Sequence, residues 1–166
     1  MARRHVIVTD GVGSIDMAVA RRFAALGGPY LGQKPPGATP ELFAPNLVSG
    51  AANERDVAMN PDGSEIYFGI LTSQLVTIMV TRLIDGHWTE PQVAPFAADQ
   101  RYSHLEPCLS ADGQRILFLS TRPTAGETES PGWKNQNIFA ADRRPDGSWV
   151  FNYTAAAEIY TADHEF

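Results

Sequence analysis

Apolar and polar positions follow no single period along this chain, and the changes of period divide it into three stretches. In the first, His5-Val6-Ile7-Val8 is a short β-branched run of the kind that parallel sheets bury on both faces. The turn Asp10-Gly11-Val12-Gly13 ends it. Ile15, Val19, Phe23 and Leu26 then recur at helical spacing, with Ser14 or Asp16 placed to cap the helix and Gly27-Gly28 placed to end it. Residues 1–28 therefore predict a strand, a turn and one helix over Ile15–Leu26. Residues 29–47 show no period. Pro29, Pro35, Pro36, Pro40 and Pro45 fix extended backbone and remove donors, which suits neither a helix nor a central strand. This stretch predicts an extended lead-in that lies along a neighbouring surface. From Val48 onward, short β-type apolar runs alternate with Asp-Gly turns.

Those runs repeat. Asn60-Pro61-Asp62-Gly63-Ser64-Glu65-Ile66-Tyr67-Phe68 matches Ser110-Ala111-Asp112-Gly113-Gln114-Arg115-Ile116-Leu117-Phe118 at an offset of 50 residues. Asp85-Gly86-His87-Trp88 matches Asp146-Gly147-Ser148-Trp149 at an offset of 61. The difference is an insertion in the second copy, visible as the Gly-, Pro- and Glu-rich stretch Thr124–Trp133, whose composition suits an exposed loop. Each copy divides into four β segments. They are Asp56–Met59, Glu65–Ile70, Leu75–Arg82 and Trp88–Ala94 in the first, and Leu105–Ser110, Arg115–Ser120, Asn137–Arg143 and Ser148–Tyr153 in the second. Asp-Gly between the first and second segments, and between the third and fourth, supplies the positive φ that tight hairpins need. Four short antiparallel strands recurring at about 50 residues are the pattern of a propeller blade. The expected fold is mainly β, a partial β-propeller of about two four-stranded antiparallel blades over residues 48–100 and 101–163, behind the lead-in and the short N-terminal strand-turn-helix.

Asn60-Pro61-Asp62-Gly63 with Ile66-Tyr67-Phe68, and Glu106-Pro107, Asp112-Gly113, Leu117-Phe118 and Ser120-Thr121-Arg122-Pro123, resemble the WD-like repeat of TolB-type β-propellers, over residues 29–166. Asn137-Ile138-Phe139 is similar to the third strand of that repeat, and Gly86-His87-Trp88-Thr89-Glu90-Pro91 to the start of its fourth. Propellers of this kind close with about six to eight blades, so two blades leave broad faces to be covered. Ile66, Phe68, Ile116 and Phe118, on central strands, are the side chains that need the cover. The resemblance thus implies a non-enzymatic propeller fragment that mediates protein binding or self-association, with a homo-oligomer as the expected state. Three chains would make a six-bladed ring, or residues 1–28 would fold back as a cap through Val19, Phe23 and Leu26.

A second reading also follows from the resemblance. Some TolB-like propellers related to pectin-degrading lyases use channel histidines and a metal. In this blade type the strand before Pro-Asp-Gly is innermost, so Glu54 and Asp56, His104 and Glu106, and His164 and Glu165 would gather at the channel mouth. Imidazoles and carboxylates together suit a divalent metal or a cationic ligand, and the reading is then a metal- or carbohydrate-binding propeller with lyase or hydrolase activity. The structural role for the same residues is to hold the next blade by hydrogen bonds. A third reading comes from residues 1–28, which resemble the opening of a short-chain dehydrogenase. Asp10, Ser14 and Asp16 stand where that family has glycine, and its Tyr-x-x-x-Lys is missing, so the reading is a degenerate NAD(P)-binding oxidoreductase in which no dinucleotide binds.

Composition narrows the choice of partner. With 13 Lys and Arg against 19 Asp and Glu the formal charge is −6, and the basic pairs are scattered, so no face displaces counterions from a nucleic acid. No stretch approaches the ~20 apolar residues of a membrane span. The four-residue apolar run near the N-terminus is shorter than the roughly 7–15 of a secretory signal, which predicts a cytoplasmic chain although the resembled family is often exported. Cys108 is the single cysteine and reads as a small buried residue. Trp88 and Trp149 recur at one repeat position and read as blade core, whereas Trp133, beside Lys134 in the insertion, reads as an exposed contact. There is no Gly-x-Ser-x-Gly elbow, so no residue is assigned a catalytic role and no cofactor is expected beyond the divalent metal of the second reading.

Overall fold

A computed structural model describes residues 33–35 and 37–155, with the backbone alone for 152–155. The helix expected over Ile15–Leu26, the degenerate dinucleotide motif, and His164 and Glu165 lie outside the described residues. Among the described residues nine strands run in chain order: β1 (Asn53–Met59), β2 (Glu65–Leu71), β3 (Val76–Ile84), β4 (His87–Trp88), β5 (Gln92–Val93), β6 (His104–Leu109), β7 (Arg115–Ser120), β8 (Asn137–Arg143) and β9 (Trp149–Ala155). The protein is mainly β. The first five strands form one antiparallel sheet and the last four another. Among the described residues no helix is long and apolar enough to cross a membrane.

The hairpins form where the sequence supplies their turns. Between β1 and β2, the Asn60 side-chain oxygen accepts the Glu65 N–H at 2.7 Å and the Asp62 carboxylate accepts the Ser64 N–H at 2.9 Å. Side chains of the loop thus satisfy its own donors, the usual service of Asn and Asp in turns. Ser110 and Asp112 do the same between β6 and β7, accepting the Arg115 and Gln114 N–H at 2.9 and 3.0 Å. Asp85-Gly86, between β3 and β4, has both residues at positive φ (51° and 78°), the two-residue turn whose twist matches the strands it joins.

One expected strand is divided. The segment Trp88–Ala94 forms β4 and β5, both paired with β3 and separated by Thr89–Pro91. Pro91 has no N–H to give to a ladder. Thr89 fills the gap with its side chain, its hydroxyl accepting the Arg82 N–H at 3.0 Å while its carbonyl accepts the Thr81 hydroxyl at 2.6 Å.

The two sheets pack face to face. Tyr67, Ile78 and Val80 of the first share a core with Ile116, Phe118, Phe139, Ala141 and Trp149 of the second. Phe96, on the short 3-10 turn Pro95–Ala97 that leads from one sheet to the next, is wedged between them. Its ring centroid lies 6.0 Å from Tyr67, 5.0 Å from Phe118 and 5.8 Å from Trp149. A polar cluster crosses the same interface. Arg143 donates to the Glu65 carboxylate and lies over the Trp149 ring, 4.6 Å from its centroid. The Trp149 indole N–H donates to the Tyr67 hydroxyl at 3.0 Å, and that hydroxyl donates to Glu65 at 2.9 Å. Burial, then the Glu65 charge, pushes the Tyr67 phenol up to about 12. The repeated tryptophans are core, as their position in the repeat predicts.

The two outer faces differ. Alternation along β2 turns Ile66 and Phe68 away from the second sheet, and both are buried beneath Ala44, Leu47 and Val48. The proline-rich lead-in is therefore the cover of the first sheet. It is held as a tight turn, with the Leu47 and Val48 N–H groups donating to the Ala44 carbonyl at 3.0 and 2.9 Å. On the far side of the second sheet, Ile138 and Val150 are 53% and 36% exposed, and Leu117 and Leu119 are half-buried. Cys108 corrects the sequence reading, being exposed rather than buried. A register shift between Leu105 and Cys108 sets it opposite Leu117, on the outward face.

Candidate functional site

The candidate chemistry falls on the neighbouring inner strands β1 and β6 and on a cleft walled by the insertion. On the inner strands the four described candidates go three ways. Asp56 and Glu106, 50 residues apart, occupy the same position in their sheets, at φ 57° and 56°. Each begins a bulge in which two residues oppose one, Asp56-Val57 against Phe68 and Glu106-Pro107 against Phe118. The left-handed region costs an L-residue roughly 1–2 kcal/mol, so the packing on either side imposes the conformation. Arg55 joins the pair, donating from Nε to Asp56 at 2.5 Å and from Nη2 to Glu106 at 3.4 Å. Glu54 is engaged locally instead, accepting the Gly50 N–H at 2.9 Å.

His104 belongs to the core. It is fully buried, its Nε2 lies 3.1 Å from the Asp99 carbonyl oxygen, and its ring meets Phe118 edge-on at 5.8 Å. Burial holds its pKa below the ordinary imidazole value, an effect the Arg122 charge reinforces and the contact with Asp99 opposes. Among the described residues no three of His, Cys, Asp and Glu stand together as a metal site.

The second place is a cleft of about 390 Å³ between the β2–β3 turn, the segment entering β6 and the insertion. Gln74, Arg101, Tyr102, Glu129, Ser130 and Trp133 line it. Trp133, singled out in the sequence as an exposed contact, is 46% exposed and forms part of the wall, whereas Lys134 is exposed next to it and outside the lining. The loop is shaped by its own side chains. Buried Asn135 accepts the Ser130 N–H at 2.8 Å and donates to the Thr128 carbonyl at 3.3 Å, and Glu127 accepts from Thr124 N–H at 2.7 Å and Asn137 at 2.9 Å. Hydrogen bonds to its carboxylate, first from Thr124, lower the Glu127 pKa.

Behind the cleft lies an ion cluster that residue-by-residue reading missed. Asp99 accepts from Arg101 Nε and Nη2 at 2.9 and 2.8 Å and from Arg122 at 2.7 Å. The Arg101 bonds, chief among these contacts, hold the Asp99 carboxyl far below the usual carboxylate range. The two guanidinium groups sit over the Tyr102 ring, 5.2 and 5.0 Å from its centroid. Asp99, Arg101 and Tyr102 lie in the connection between the two repeats, where no period marks them. The sequence signal was Asp99-x-Arg101, a carboxylate two residues before a guanidinium in a short connection. No protein-family model, curated protein or solved structure matches this chain. The fold itself places the chain in the mainly β class, as two consecutive antiparallel sheets packed face to face.

Proposed function

We propose that the chain is a TolB-like propeller-repeat module that acts by protein association, through the open face of its second sheet, and that the partner is a second copy of itself. One comparison carries this reading. Ile78 pairs with Gly69 in the first sheet and Ile138 pairs with Leu119 in the second, so the two isoleucines are repeat equivalents. Ile78 is completely buried because the second sheet covers it, and Ile138 is 53% exposed. Among the described residues the second sheet thus presents, uncovered, the face that the first uses as its main interface.

The second copy is favoured over a head-to-tail ring because the complementary face, that of Ile66 and Phe68, is taken by the lead-in. Two open faces meeting about a two-fold axis need no such displacement. The charges suit this arrangement. Arg115 and Asp142 stand opposite each other on that face, paired at 2.6 Å, so the charged side chains at its end are neutralised rather than left to repel a second copy. A face of four strands about 4.8 Å apart and some six residues long covers roughly 400 Å². That is about half of the ~800 Å² per partner of a standard interface, so the association is weak and concentration-dependent.

Cys108 reports on the face directly. Its alkylation by N-ethylmaleimide slows as protein concentration rises, and in Ile138→Glu it proceeds at one rate at all concentrations. A concentration-independent rate in the wild type overturns the second copy as partner. A thiol protected at every concentration would instead show that the chain covers its own face.

A further inference from the structure

We infer that the cleft walled by the insertion is a binding site for a neutral saccharide, a role beyond the association proposed above and independent of it. The repeat has no need of this loop, since the first copy makes its β2–β3 connection in four residues, Thr72–Leu75, and the second takes sixteen, Thr121–Gln136. The added residues are nonetheless closed by buried Asn135 into a fixed shape, with Trp133 held at the surface. An ordered loop that presents a large exposed aromatic beside a cavity is a binding feature rather than a connection. The volume of about 390 Å³ falls within the ~300–1,000 Å³ range of small-molecule sites.

The wall chooses among ligands that stack on an indole. A quaternary ammonium needs free aromatic faces, but Tyr102 already holds the guanidinium groups of Arg101 and Arg122. A nucleotide needs cations for its phosphate. Among the described residues Arg101 is the one lining cation, it is bonded through two nitrogens to Asp99, and Glu129 in the same wall repels an anion. That repulsion also disfavours a uronate.

What remains is a ligand with an apolar face and hydroxyl groups that both donate and accept. Glu129 accepts, as does the Ser130 hydroxyl, whose proton goes to the Thr128 carbonyl, while Gln74 does both and the remaining terminal nitrogen of Arg101 donates. A sugar ring laid on Trp133 satisfies this set, its C–H face on the indole and its hydroxyls toward the polar rim.

The test is a panel of neutral and uronate-containing oligosaccharides, screened for retention of the full chain and followed by tryptophan emission. Trp88 and Trp149 are buried, so a change in emission on binding reads Trp133. The expected result is saturable binding of a neutral member with a shift in emission. It should be lost in Trp133→Ala, weakened in Glu129→Gln, and kept in Ile138→Glu, which disrupts only the open face. Both cleft variants alter exposed side chains, and an unchanged circular dichroism spectrum confirms that they fold. Binding of uronates alone overturns the inference. So does binding unaffected by Trp133→Ala, or no binding of any neutral member.

Discussion

Glu106 sits at φ 56° without the local hydrogen-bonding side chain that makes Asn or Asp tolerable there. Replacing it with glycine removes the strain, offset in part by the greater freedom of the unfolded chain. Glu106→Gly is expected to stabilise the protein by about 0.5–1 kcal/mol in urea unfolding, and destabilisation would show that its contact with Arg55 outweighs the strain. His104 makes a second prediction. Its folded pKa lies below the 6.5 of a free imidazole, so the unfolded chain takes up the proton first. Its contribution is complete above pH 6.5 and is lost as pH falls below that value, at up to about 1.4 kcal/mol per pH unit. Asp99, held far below the carboxylate range, keeps its charge throughout that window. His104→Gln should flatten the fall of stability below pH 6.5 relative to wild type, and an equal slope in both proteins would assign the effect to other groups. The repeat offset made Asp56 and Glu106 equivalent in the sequence, but not their backbone strain, which comes from pairing with β2 and β7. Cys108 was misread for the same reason, since a bulge decides which face it joins.

At the scale of elements, Asp-Gly turns and matched apolar runs located the strands within a few residues, because each hairpin is determined by its own loop. The fourth strand of the first sheet was the exception. The expected segment Trp88–Ala94 runs through Thr89–Pro91, although Pro91 alone argues for a break. Least visible was Phe96, which follows a proline in an unpatterned connection yet touches Tyr67, Phe118 and Trp149. Phe96→Ala should cost about 3–5 kcal/mol, as for other buried aromatics, because neither sheet can close the gap without moving the other. A loss under 1 kcal/mol in chemical denaturation would show that the sheets are not held together through this residue.

For the whole molecule, the sequence indicated that two blades leave apolar faces to cover, and the alternation of side chains identified the rows. It did not indicate which cover each would find. The answer depends on contacts between distant segments: Leu47 and Val48 reach Ile66 and Phe68 across the first sheet, while Ile138 has no counterpart among the described residues. The channel mouth of Glu54, Asp56, His104 and Glu106 follows from the resemblance rather than from the residues themselves; Asp56 and Glu106 meet at Arg55, whereas Glu54 and His104 take partners of their own. The insertion was legible as a loop, but its cleft was not, because the facing wall comes from the connection between the repeats. Sedimentation velocity across a concentration series, on the wild type and on Ile138→Glu, addresses the open face most directly. A wild type that moves from monomer to dimer as concentration rises, with a variant that stays monomeric throughout, is the predicted result. A wild type that is monomeric at every concentration, or a variant that associates as the wild type does, would contradict it.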